Sequence, residues 1–115
     1  MVKRKTDHQV QLVEKLRGGE GAATVERLLM PAELCEKSPL FAKITLQPGS
    51  SIGYHIHEGE MEAFYILSGE AEFLDKQETV TLSPGDSTLT QSGEGHSIKS
   101  VGNTPLELIA LILYK

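Results

Sequence analysis

Residues 49–69 read G-S-S-I-G-Y-H-I-H-E-G-E-M-E-A-F-Y-I-L-S-G, from Gly49 to Gly69. Side chains two apart on a β-strand share a face, so His55 and His57 aim two imidazoles at one point. The E-G-E that follows is a turn signal, and M-E-A-F-Y-I-L is a strand that would return antiparallel. Glu62, near the start of that strand, comes within reach of the same point. Glu58 and Glu60, in the turn, read as solvated, the alternative being that they tune the site or act as bases.

A second glycine-framed segment, Pro84 to Ser100, offers a further imidazole at His96. His55, His57, Glu62 and His96 form a candidate shell of three nitrogens and one carboxylate. Imidazole suits manganese, iron, cobalt, nickel, copper and zinc, whereas calcium and magnesium favour all-oxygen shells. The expected cofactor is therefore one divalent transition metal. Strand parity adds Phe64 and Ile66 to the face of Glu62, and Ile98 to the face of His96. These three are candidate walls of a small-molecule pocket.

Working outward, the chain alternates short apolar runs with glycine and proline turns. Strands are expected over Gln9–Leu12, Ala23–Met30, Leu40–Leu46, 52–57, 61–67, 70–74, 79–82, 87–91, 96–101 and the C-terminal run from Leu106. Pro31 to Lys37 reads as a turn of helix or a loop. No long helical period occurs. Many short, evenly spaced strands signal an all-β barrel or sandwich.

Gly49, His55, His57, Glu62 and Gly69 reproduce G-x5-H-x-H-x4-E-x6-G, and Gly85, Gly93 and His96 follow G-x5-P-x-G-x2-H-x3-N. The chain thus resembles the cupins, in the small single-domain form. Gln91 and Ser100 depart from the second pattern, where proline and asparagine are usual. The resemblance implies a jelly-roll β-barrel of the cupin type and an open metal site that leaves positions for substrate. One domain over 1–115 is expected, with an N-terminal arm at 1–22 and the core barrel at 40–115. An enzyme acting on a small carboxylate, keto acid or sugar derivative is implied, of decarboxylase, dioxygenase or isomerase type. A binding or sensing module is the alternative.

The net charge of -5 argues against nucleic acid, which asks for a basic face. Lys3-Arg4-Lys5 is too short to supply one. No apolar run is long enough to span a membrane as a helix. One cysteine, Cys35, excludes an internal disulfide, and a cytoplasmic setting is expected. The final strand is apolar on both faces: Leu106, Leu108, Ala110 and Ile112 on one, Ile109, Leu111 and Leu113 on the other. An outer face of this kind needs a cover. The N-terminal segment could supply it. The sharper expectation is a homodimer.

Overall fold

The computed structural model describes all residues, 1–115. Its strands are β1 (Gln9–Glu14), β2 (Ala22–Leu29), β3 (Leu40–Leu46), β4 (Ser51–Ile56), β5 (Glu60–Ser68), β6 (Ala71–Asp75), β7 (Glu78–Leu82), β8 (Ser87–Thr90), β9 (Gly95–Ser100) and β10 (Leu106–Tyr114). The helical segments are short 3-10 turns at Lys5–Asp7, Leu16–Gly18 and Pro31–Leu34, and no helix is long and apolar enough to cross a membrane. Pro31 opens the last of these turns, where its missing N–H costs nothing.

The strands form two antiparallel sheets. The larger runs β1-β2-β3-β10-β5-β8 and the smaller β4-β9-β6-β7. From β3 onward the chain crosses between the two sheets at every connection except the β6–β7 hairpin, as in a jelly roll. The inward residues of both sheets make a single apolar core that includes Ile44, Leu46, Phe64, Ile66, Phe73, Ile98 and Leu108. The alternation of buried and partly exposed residues along β3, β5 and β9 follows the period-two pattern that the sequence carries.

Both departures from the second motif have a local explanation. The Gln91 backbone N–H donates to Glu94 Oε1 at 2.9 Å, a bond that proline lacks the hydrogen to make. Gln91 O accepts from Glu94 N, so the turn before β9 closes without a proline. Ser100 is fully buried, and its backbone exchanges bonds with Ser50 O and Gly49 N, tying the end of β9 to the start of β4.

The turn at Leu16–Gly18 sits directly on β4. A Cβ on Gly53 would collide with the Arg17 carbonyl, and one on Gly19 would collide with the Ser51 carbonyl. Glu20 and Ser51 exchange hydrogen bonds across the same contact: Ser51 N donates to Glu20 O at 2.9 Å, and Glu20 N to Ser51 Oγ at 2.8 Å. Lys15 and Arg17 take left-handed backbone conformations there, at φ 50° and 54°. Each costs a non-glycine residue about 1–2 kcal/mol. β1 itself continues the large sheet as an edge strand and does not fold over β10.

Gly69, the last residue of the first motif, has φ 85°, and a Cβ there would run into the Pro105 carbonyl and Leu106 Cα. Gly69→Ala should therefore combine left-handed strain with overpacking and destabilise the fold by roughly 2 kcal/mol or more. Urea denaturation of the variant beside wild type measures this. An unchanged midpoint would show that the 69–70 turn relaxes freely.

Candidate metal centre

Strand register assembles the site. On the small sheet, His55 of β4 lies directly across from His96 of β9. His57 follows β4 by one residue, on the same face as His55. On the large sheet, Glu62 of β5 pairs with Thr90 of β8 and with Ile112 of β10. The two sheets thus bring His55, His57, Glu62 and His96 together, with their four ligand-type atoms all within 4.8 Å of one another. His57 Nε2 lies 2.9 Å from Glu62 Oε1 and 3.1 Å from His96 Nε2; His96 Nε2 lies 3.1 Å from His55 Nε2. His57, Glu62 and His96 are buried, and His55 is partly exposed at the mouth.

The far side of each ring decides what the near side offers. His55 Nδ1 donates to the Gly53 carbonyl at 2.8 Å. His57 Nδ1 donates to Glu60 Oε1 at 3.0 Å. Both partners can only accept, so in the neutral rings both Nε2 atoms carry lone pairs toward the centre. His96 Nδ1 meets the Thr90 hydroxyl at 2.9 Å. A hydroxyl takes either role, so His96 is the ring free to turn its Nε2 lone pair inward when a cation is bound. Phe64 stacks on His96 at 5.1 Å and 13°, and Phe73 meets its edge at 5.7 Å, fixing the ring plane. A buried centre with this excess of acceptors over donors fits a divalent transition metal.

Ionisation follows from the same geometry. The Glu62 carboxylate, then that of Glu60, hold the His57 pKa above the ordinary imidazole value, with burial opposing. Burial lowers the pKa of His55; the Gly53 carbonyl works against that, and the charges of His96, His57 and Arg17 add to the lowering. Burial acts to raise Glu62, yet hydrogen bonds and charge from His57 and His96 carry it below the ordinary carboxylate value.

Beside the ligands lies a cavity of about 150 Å³, lined by His55, His57, Glu62, Phe64, Leu16 and Arg17, with Leu40, Ile44, Ile52 and Ile112 completing the wall. Phe64 reaches this cavity. Ile66 and Ile98 are fully buried in the core and do not line it. Sequence reasoning treated Glu60 as a solvated turn residue, whereas it opens β5 and orients His57. It passed over Thr90 and Arg17, which reach the site through β8 pairing and the turn on β4. The glycines at 19 and 53 were the available signal for that turn.

Residues 42–112 match the family described as the cupin domain. The chain belongs to the cupin family. It is 43% identical to an oxalate-binding protein of Thermotoga maritima over 98% of this chain and 93% of that one. The crystal structure of a predicted oxalate decarboxylase from Thermotoga maritima superposes with a TM-score of 0.96, at 43% identity, covering 100% of both chains. KdgF from Halomonas, at 17% identity, shares the fold with a TM-score of 0.76.

Metal must displace whatever proton His57 holds. The raised His57 pKa means that this proton is kept to higher pH than an ordinary imidazole would keep it. Apparent metal affinity should therefore increase with pH through the neutral range, and metal should leave as pH falls below the ordinary imidazole value of about 6.5. Titrating metal into stripped protein in buffers of different ionisation enthalpy should reveal proton release. His96→Ala should fold but lose most of its metal; full occupancy by elemental analysis would remove His96 from the ligand set.

Proposed function

We propose that this cupin binds a small dicarboxylate of the oxalate type on a divalent transition metal held by His55, His57, Glu62 and His96. The observation that carries the reading is the cavity itself. Its volume of about 150 Å³ lies well below the roughly 300–1,000 Å³ of drug-sized pockets, so it suits a ligand of a few heavy atoms. The metal would act there as a Lewis acid that draws carboxylate oxygens. Phe64, Ile44, Ile52 and Ile112 exclude water around the bound acid and strengthen each polar contact. The similarity to the oxalate-binding protein supports the same ligand class.

Turnover of that acid, as a decarboxylase or dioxygenase, is the second reading, and the similarity to a predicted oxalate decarboxylase favours it. The chain offers little acid–base help. Apart from the ligands, Arg17 is the one ionisable group on the cavity wall, and its charge is fixed. Glu60 faces away, engaged with His57. Binding is therefore the better supported of the two.

Calorimetry with metal-loaded and metal-stripped protein separates these readings from each other and from failure. Oxalate is expected to bind the loaded form and to lose at least tenfold in affinity on stripping. Equal binding to both forms, or none, would sink the metal-chelate reading. Consumption of oxalate by the loaded protein, followed by product analysis with and without oxygen, would make it an enzyme.

A homodimer is the second part of the proposal. β10 lies in the middle of the large sheet, and its outward residues Ile109 and Leu111 adjoin Phe41 of β3 and Tyr65 and Ala63 of β5. Tyr65, Leu89 and Leu113 remain 48%, 52% and 39% exposed. β1 lies at the sheet edge and leaves Ile109 and Leu111 only partly buried, and a second copy would cover the rest of this face. Leu111→Asp should yield monomer or aggregate in sedimentation velocity; wild type that stays monomeric at high concentration would refute the dimer. A reducing, cytoplasmic setting is in keeping with the free, exposed thiol of Cys35.

A further inference from the structure

Arg17 is the one side chain of the cavity whose chemistry neither the metal shell nor the core uses. The chain's ion pairs are made by Lys3, Lys43, Lys76 and the histidines, and Arg17 takes part in none of them. It is exposed at the cavity mouth. Its position is built. Two glycines, Gly19 and Gly53, remove the side chains that would keep the Leu16–Gly18 turn off β4, and Arg17 holds a left-handed backbone at φ 54° within that turn. Strain of this kind persists where the surroundings over-determine it, as they do here through the Glu20–Ser51 hydrogen bonds. The outcome is an arginine whose backbone is fixed against β4, the strand that carries His55, with its charge close enough to act on that imidazole.

We propose that Arg17 selects dicarboxylates at this site: its guanidinium receives the outward oxygens of a small dianion that the metal chelates, balancing the second carboxylate's charge. The proposal rests on the metal-chelate reading above. Charge balance supplies its logic. A divalent cation with the Glu62 carboxylate leaves one positive charge in the cavity. A monoanion neutralises it. A dianion leaves one negative charge against a wall of Leu16, Leu40, Ile44, Ile52, Phe64 and Ile112, where an unbalanced charge is costly. Arg17 is the one cationic side chain on that wall, and a guanidinium matches a carboxylate as a two-pronged donor. A positive charge at the mouth also draws anions toward a chain whose net charge of -5 would otherwise repel them.

The test uses full-length protein loaded with manganese(II), as wild type, Arg17→Gln and Arg17→Lys, with metal content measured for each. The probes are oxalate, a dianion, and glycolate, a monoanion that also chelates through two oxygens. Arg17→Gln should weaken oxalate at least tenfold and change glycolate less than threefold, at unchanged metal content. Arg17→Lys, which keeps the charge without the fork, should fall between. Oxalate binding in wild type should weaken with added salt more steeply than in Arg17→Gln. Fully loaded Arg17→Gln that binds oxalate within threefold of wild type overturns the assignment and leaves the metal-chelate reading standing. Equal loss of oxalate and glycolate, or loss of metal, also overturns it, since either marks a structural role for the turn. Loaded wild type that ignores oxalate overturns both readings together.

Discussion

Everything at the centre of this barrel depends on the convergence of acceptors that lack donors. His55 and His57 spend their Nδ1 hydrogens on the Gly53 carbonyl and the Glu60 carboxylate, which can take nothing else. Their Nε2 atoms then face the Glu62 carboxylate and His96 in a space from which water is largely removed. The Glu62 and Glu60 carboxylates beside His57 raise its pKa, which marks how strongly this centre attracts positive charge. A divalent metal would satisfy all four groups with one charge. The orienting bonds behind the rings are therefore as much a part of the site as the rings themselves.

The fold can hold such a cluster because its ligands sit on strands of two different sheets. Cross-strand pairing sets His55 against His96, and packing of the sheets brings Glu62 up from the other side. Moving any one ligand would require a register slip, which would turn a whole strand's apolar residues outward. The core formed by Phe64, Phe73, Ile98 and their neighbours thus fixes the arrangement of the four residues indirectly. The same Phe64 that stacks on His96 also closes the ligand cavity, so packing and binding share a side chain.

What could be read from the sequence was what local period and spacing encode. Ten strands lie close to the alternating runs, and the H-x-H pair converges because the rule of two holds between residues 55 and 57. Glu62, Phe64 and Ile66 keep one parity in the structure, as they do in the sequence. Parity gave the inward face but not the depth: Ile66 and Ile98 point inward and are swallowed by the core, while Phe64 reaches the cavity. Thr90 and Arg17 escaped notice for another reason. Each acts through a contact set by tertiary packing, and a lone threonine, or an arginine in a turn, carries no period. Arg17 is separated from His55 by the whole of β2 and β3, and the backbone-to-backbone approach at Gly19 and Gly53, with the Glu20–Ser51 hydrogen bonds, joins them. The cover expected for the outer face of β10 divides the same way. The sequence shows that the strand is apolar on both sides, but the edge position of β1 emerges only from the pairing of β1 with β2.

β10 links the two halves of the functional reading. Its register sets Ile112 beside Glu62 and Leu111 beside Ala63, so adjacent residues face the ligand cavity and the outer apolar surface. A strand in the middle of a sheet is held by hydrogen bonds on both edges, and here also by burial of its inner face. Its outer face is the one side on which the protomer leaves it unsupported. A second copy packed there would restrict the motion of β10 and, with it, the wall that Ile112 gives the cavity. In a site this small, a displacement of one side chain changes which acids fit. On the dimer proposed above, assembly and ligand choice would be joined through this one strand, and the apolar residues on its outward face would serve the site alongside those on its inward one.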